Sequence, residues 1–181
     1  MAKTAIRLCG EGLMMVRLLL TRTSRDSAKL HVTGEGTLVS VFDVAAYILQ
    51  KRHPISALKL QKLVYYCQAW SLVWDERPLF DERIEAWANG PVVPELYREH
   101  RGDYTVSTLR RGDPDCLSRK AKETVDAVLS FYGDRSPQWL SDLTHMETPW
   151  IKAYGATPPG QRCRNEISLA DMAEYYEGLR P

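Results

Sequence analysis

LKLQKLVYYCQAWSLVW, residues Leu58 to Trp74, carries apolar side chains on nearly every face of a helical wheel. Leu60, Leu63, Val64, Cys67, Trp70 and Trp74 form one broad face, while Leu58, Tyr65, Tyr66, Ala69, Leu72 and Val73 cover much of the rest. A helix that is apolar all round is one packed on all sides, so the stretch predicts a buried central helix. Lys59, Gln61, Lys62 and Gln68 interrupt it, and on a buried helix each must find a partner or cost about 1–3 kcal/mol. The chain then turns through Asp75–Pro78 into EAWANGPVVP, residues Glu85 to Pro94. Alternation at Ile84, Ala86 and Ala88 predicts a short strand, Asn89-Gly90 tolerates positive φ, and Pro91 is expected to set a further turn.

Helices are predicted on both sides of this centre. Ser40 caps a segment through Arg52 in which Val41, Val44, Ala45, Ile48 and Leu49 recur at helical spacing, and His53-Pro54 ends it. Ser56 caps the central helix, so the first two helices are joined by a few residues and should lie side by side. Pro94 opens a short helix to His100. Tyr104 to Leu117 reads as polar loop. Ser118 starts a helix with Ala121, Val125, Val128, Leu129 and Tyr132 on one face, and Gly133 stops it. Ser136-Pro137 begins another through Leu143, followed by a compact turn over Thr144 to Trp150 and a helical turn from Pro149 to Tyr154. Ser168 with Asp171 starts the last helix, where Leu169, Met172, Ala173, Tyr176 and Leu179 are expected to face inward. The sum is a mainly α fold: one compact helical domain, residues 40–181, around a buried central helix with a minor short-strand element.

Residues 1–39 are expected to be a poorly ordered N-terminal extension. Arg17 splits the apolar run Leu13–Leu20, which is too short to span a bilayer and has no cleavage site after it, and Thr21 to Thr37 is polar. With 181 residues the chain can bury a core without disulfides or metal. Its net charge of +1 supplies no bulk attraction to nucleic acid or to an anionic membrane, and no basic stripe follows Lys62 along the sequence. Cys9, Cys67, Cys116 and Cys163 lie far apart with no C-x-x-C pair, which suits a reduced cytoplasm, with Cys67 as core packing.

Several motifs recur together in order: Leu58-Lys-Leu-Gln-Lys-Leu-Val-Tyr-Tyr66, Gln68-Ala-Trp70, Pro78-Leu-Phe80, Ile84-Glu-Ala-Trp87, Asn89-Gly-Pro-Val-Val-Pro-Glu-Leu-Tyr97, and Leu143-Thr-His145 followed by Pro149-Trp150. In that order and spacing they resemble the Panacea domain, the SocA-like antitoxin domain, from about Val41 to Tyr176. The resemblance implies a bacterial or prophage antitoxin that binds and neutralises a cognate toxin, and, as a further step, delivery of the partner to an AAA+ protease. No helix-turn-helix segment accompanies the domain, and the resemblance does not choose the toxin. Trp70, Trp87, His145, Pro149 and Trp150 are then family-motif residues with structural roles, and neither a cofactor nor a metal is implied.

Two readings of the polar motif residues stand side by side. In one, Lys59, Gln61 and Lys62, with Tyr65 or Tyr66 and the turn Asn89-Gly90-Pro91, form a polar shelf on the toxin-facing surface. In the other, Lys59 and Gln61 satisfy buried backbone groups of the turn and Lys62 pairs with an acid such as Glu85 or Glu95. His145, near Asp142 and Glu147, invites a small hydrolase or metal site, yet no nucleophile motif, second spaced histidine or glycine-rich phosphate loop accompanies it. A hydrogen-bonded turn histidine that anchors the Trp150 segment is the plainer role. A phage-associated adaptor or regulator without a toxin is the remaining alternative. The tryptophans and tyrosines lack the basic interleaving that base stacking requires, and are expected in the core or at a protein interface.

Overall fold

A computed structural model describes residues 39–179, so the expectation for residues 1–38 lies outside the described residues. Seven α-helices and two small two-stranded sheets are present among them, a mainly α fold. Helix α1, Val41–Lys51, starts in a capping box: the Ser40 hydroxyl accepts from the backbone of Phe42, and Asp43 accepts from Ser40 N at 3.0 Å. Glu82 clamps the same end, accepting from Ser40 Oγ at 2.8 Å and from Val41 N at 3.1 Å.

Strand β1, Ile55–Ser56, leads directly into the central helix α2, Ala57–Trp74, whose N-cap is the Ser56 side chain. Every residue of α2 from Leu60 to Ser71 is buried, as its all-round apolar wheel requires. Around it pack α1, the hairpin of β2 (Glu85–Trp87) and β3 (Gly90–Val92), α4 (Arg119–Tyr132), α5 (Pro137–His145) and α7 (Leu169–Glu177). Helix α6 (Thr148–Tyr154) packs on β2 and α7, while α3 (Pro94–Glu99) follows the hairpin and sets Tyr97 against Trp87 of β2. The inward face read for α4 is buried at all five named positions, joined by Thr124.

Four details differ from the sequence reading. Pro91 lies in β3, opposite Ala86, and not in a turn, because its missing N–H falls in a two-stranded ladder with a free edge. The polar segment after Tyr104 contains strand β4, Thr105–Val106, antiparallel to β1, and a 3-10 turn at Pro114–Cys116. Two-residue pairing leaves no periodicity to read. Helix α5 runs on through His145, so this histidine ends a helix and is not part of a turn. Leu169 is exposed, since it is the first residue of α7 and projects beyond the contact that buries Met172 and Tyr176.

The loop from α2 to β2 is held by one side chain. Gln68 Oε1 accepts from Leu79 N at 2.8 Å and Phe80 N at 3.2 Å, while its Nε2 donates to Phe80 O at 2.8 Å. The amide thus replaces a strand partner for a buried turn. Gln68→Ala strips three buried backbone groups of their partners, and is expected to cost about 3 kcal/mol. The check is a fall in the urea midpoint with an unchanged slope; a midpoint equal to wild type would refute the clamp.

Candidate functional site

The hairpin turns at Ala88-Asn89, one residue earlier than the expected Asn89-Gly90, because Gly90 pairs with Trp87 as the first residue of β3. This brings the hairpin down onto the first turns of α2. Lys62 is fully buried and donates its Nζ to Pro91 O at 2.9 Å. Neither Glu85 nor Glu95 reaches it, so the expected ion pair is absent: Glu85 is held by Arg83 at 2.6 Å and by Trp87 Nε1 at 2.7 Å, and Glu95 by Arg98 at 3.1 Å. Burial without a counter-charge lowers the Lys62 pKa to about 7. Gly90 has φ +95°, and its backbone passes so close to Lys62 and Thr144 that no side chain fits there.

Gln61 ties the same helix to the next segment. Its Oε1 accepts from Val93 N at 2.8 Å, so its Nε2 is the donor to His100 Nε2 at 2.9 Å. That bond requires a neutral His100 imidazole, and burial lowers its pKa in the same sense. The reading in which Gln61 satisfies a buried backbone group is what the geometry displays.

One and two turns further along α2, on the face toward α4 and α7, a carboxyl is enclosed by tyrosines. Glu147, 3 % exposed, accepts from Tyr176 Oη at 2.7 Å and Tyr66 Oη at 3.2 Å. The Tyr65 hydroxyl faces the same carboxyl without completing a hydrogen bond. Tyr132 stacks on Tyr66 with centroids 4.0 Å apart and accepts from Trp70 Nε1 at 3.3 Å. Desolvation outweighs the hydroxyl donors and raises the Glu147 pKa to about 8. All of these groups are buried, so Tyr65, Tyr66 and Trp70 belong to the interior.

His145 sits against Trp150, ring centroids 4.3 Å apart, and Trp150 Nε1 donates to Trp87 O at 3.1 Å. This couples the end of α5, the start of α6 and the hairpin. Desolvation, and secondarily the Lys62 charge, lower the His145 pKa. Among the described residues no group of three His, Cys, Asp or Glu side chains is placed to hold a metal, and no helix is long and apolar enough to cross a membrane.

Above this interior lies a groove of about 760 Å³, the size of a ligand cleft. Its floor includes Gln61, Trp87 and Asn89, with Trp87 packed edge-to-face on Tyr97 at 4.9 Å. Its walls carry five arginines: Arg83 before β2, Arg98 and Arg101 on and after α3, and Arg162 and Arg164 from the segment before α7. That last segment pairs with the edge of β2 opposite β3, where Ala86 N donates to Asn165 O at 2.9 Å and Ile167 N to Ile84 O at 2.8 Å. Arg162 and Arg164 immediately precede this pairing and line the groove.

The residues singled out from sequence therefore separate into three places. Gln61, Trp87 and Asn89 line the groove; Lys62, Gly90 and Pro91 are buried directly behind it; Tyr65 and Tyr66 face the opposite interior cluster. Lys59 is half-buried outside the groove lining, with Asp134 and Arg52 as its charged neighbours. Pro149 is buried in the first turn of α6. Sequence reasoning missed the arginines, because they come from separate segments and form no stripe along the chain. It also left Glu147 as a neighbour of His145, when its partners lie on α2 and α7. The signals present were the spacing Arg162-x-Arg164 and the closeness of Arg98 and Arg101 along the chain, at the end of α3 and just after it.

The family profile described as "Antitoxin SocA-like, Panacea domain" matches residues 60–151, half of the chain. The chain is also similar to Antitoxin SocA of Caulobacter vibrioides (strain NA1000 / CB15N), 51% identical over 110 residues that cover 54% of this chain and 58% of the relative. It thus spans less than two thirds of that relative's length. No solved structure matches.

Proposed function

From the premise that this chain belongs to the SocA-like antitoxins with a Panacea domain, we propose that it neutralises a cognate toxin of a bacterial or prophage toxin–antitoxin pair by direct protein–protein binding, without acting on a substrate. The observation that carries this reading is the extent of the family match. Residues 60–151 are those that build the central helix, the hairpin, Glu147 and the Trp150 contact. The hydrogen bonds of buried Gln61, Lys62 and Gln68 stiffen such a scaffold, and a rigid surface binds a partner with less ordering cost than a mobile one.

The test is co-expression with the product of the adjacent reading frame. Relief of that product's toxicity, with a stable complex on purification, is the expected result. A neighbour that is harmless alone, or toxic and unrelieved, would overturn the reading in favour of an adaptor without a toxin. Turnover of a small molecule by the purified protein, abolished by His145→Ala, would overturn its non-catalytic part. Delivery to an AAA+ protease is a further step of the same proposal, and a shortened toxin half-life on co-expression is its readout.

A further inference from the structure

We propose that the arginine-lined groove is the seat for an acidic, partly apolar segment of the partner polypeptide. The inference rests on the antitoxin reading for the partner's identity, and on the groove itself for the chemistry. Two of its five guanidinium groups are engaged: Arg83 by Glu85 and Arg98 by Glu95. Arg101, Arg162 and Arg164 form no ion pair among the described residues and stand around an opening whose only acidic lining residue, Glu85, is already held by Arg83 and Trp87. Three uncommitted forks around one concavity form an anion receptor, and guanidinium binds carboxylates in bidentate geometry.

The rest of the lining selects among anions. The lining also holds Leu58, Val92, Pro94, Trp87 and Tyr97, a set of apolar and aromatic side chains. A nucleic-acid backbone brings a charge at every step, and the net charge of +1 supplies no wider attraction for it. A peptide that alternates carboxylates with apolar side chains matches both parts. Aromatic and arginine groups in a concave site are also where binding energy concentrates at protein interfaces.

The experiment uses the whole protein and three fluorescein-labelled probes: a peptide of alternating glutamate and leucine, its lysine–leucine counterpart, and a single-stranded oligonucleotide. Anisotropy at low salt is expected to show binding of the glutamate peptide alone. Arg162→Glu with Arg164→Glu should weaken it at least tenfold, as should added salt. Arg119→Glu, exposed on α4 outside the groove, should leave it unchanged. Arg101→Ala serves as a second groove variant should the double change lower thermal stability. Glutamate-peptide binding that is absent, or insensitive to both groove variants, overturns the proposal. So does tighter binding of the oligonucleotide that the same variants abolish. Co-expression separates the two levels of inference. If wild type and the double variant neutralise the adjacent product equally, the groove assignment fails while the antitoxin reading stands. If wild type neutralises nothing, the antitoxin reading fails, and the peptide measurement still decides whether the groove is an acidic-peptide receptor.

Discussion

Gly90→Ala is expected to lower stability by about 3–5 kcal/mol, on the order of 10 °C in melting temperature. Two costs add. At φ +95° an alanine is in a backbone region that L side chains avoid. Its Cβ would also stand 2.6 Å from Thr144 Oγ1 and 2.8 Å from Lys62 Cε. Thr144 cannot simply swing away, because its hydroxyl is bonded to Ser141 O inside the packed end of α5. Nor can Lys62, whose Nζ is held on Pro91 O. The substitution therefore pushes the hairpin off α2, and since Trp87 pairs with Gly90 and Asn89 precedes it, the groove lining should also be disturbed. Thermal melting of the purified variant checks this. A melting temperature within a degree or two of wild type would mean the hairpin does not sit on Lys62.

The second large effect is on pH dependence, and it comes from two buried groups acting in opposite senses. Glu147 has its pKa raised from 4.5 to about 8. Between those values the unfolded chain has released a proton that the folded protein retains, so the stability contributed by this group is full below 4.5 and is lost as pH rises through 8. Lys62 has its pKa lowered from 10.5 to about 7. Its contribution is full above 10.5 and is lost as pH falls through 7. Each proton contributes a slope of up to about 1.4 kcal/mol per pH unit within its window. The pair thus places a trough of stability near pH 7–8.

Variants isolate the two limbs. Glu147→Gln mimics the neutral acid, keeping one acceptor and one donor group toward Tyr66 and Tyr176, and should remove the acid-side slope. Its advantage over wild type is expected to grow from pH 5 to pH 8, on the order of a few kcal/mol. Lys62→Met should remove the alkaline limb, with a pH-independent loss from the unpaired Pro91 carbonyl. Urea midpoints at pH 5, 7.5 and 9.5 measure both. Profiles of Glu147→Gln and wild type that run parallel would show that Glu147 does not titrate across this window in the folded protein.

The central helix, its Ser56 cap and the amphipathic helices on either side were legible in the sequence because each depends on spacing within one segment. Leu60 to Ser71 must be buried whatever surrounds them, and Ser40, Ser118, Ser136 and Ser168 cap helices through bonds that close within three residues. The partners of the polar residues were not legible. Lys62 meets a carbonyl and not an acid, Glu147 meets tyrosines from α2 and α7, and Gln68 serves a turn eleven residues away. The groove belongs to the same class: its arginines come from segments that become neighbours only when residues 165–167 pair with the edge of β2. By itself, then, the sequence determined which segments are helical and which one is central, since helix formation and capping are short-range. Only the tertiary structure decided where the charges go, because a buried or gathered charge is defined by the dielectric and the neighbours around it, and those are supplied by parts of the chain remote in sequence.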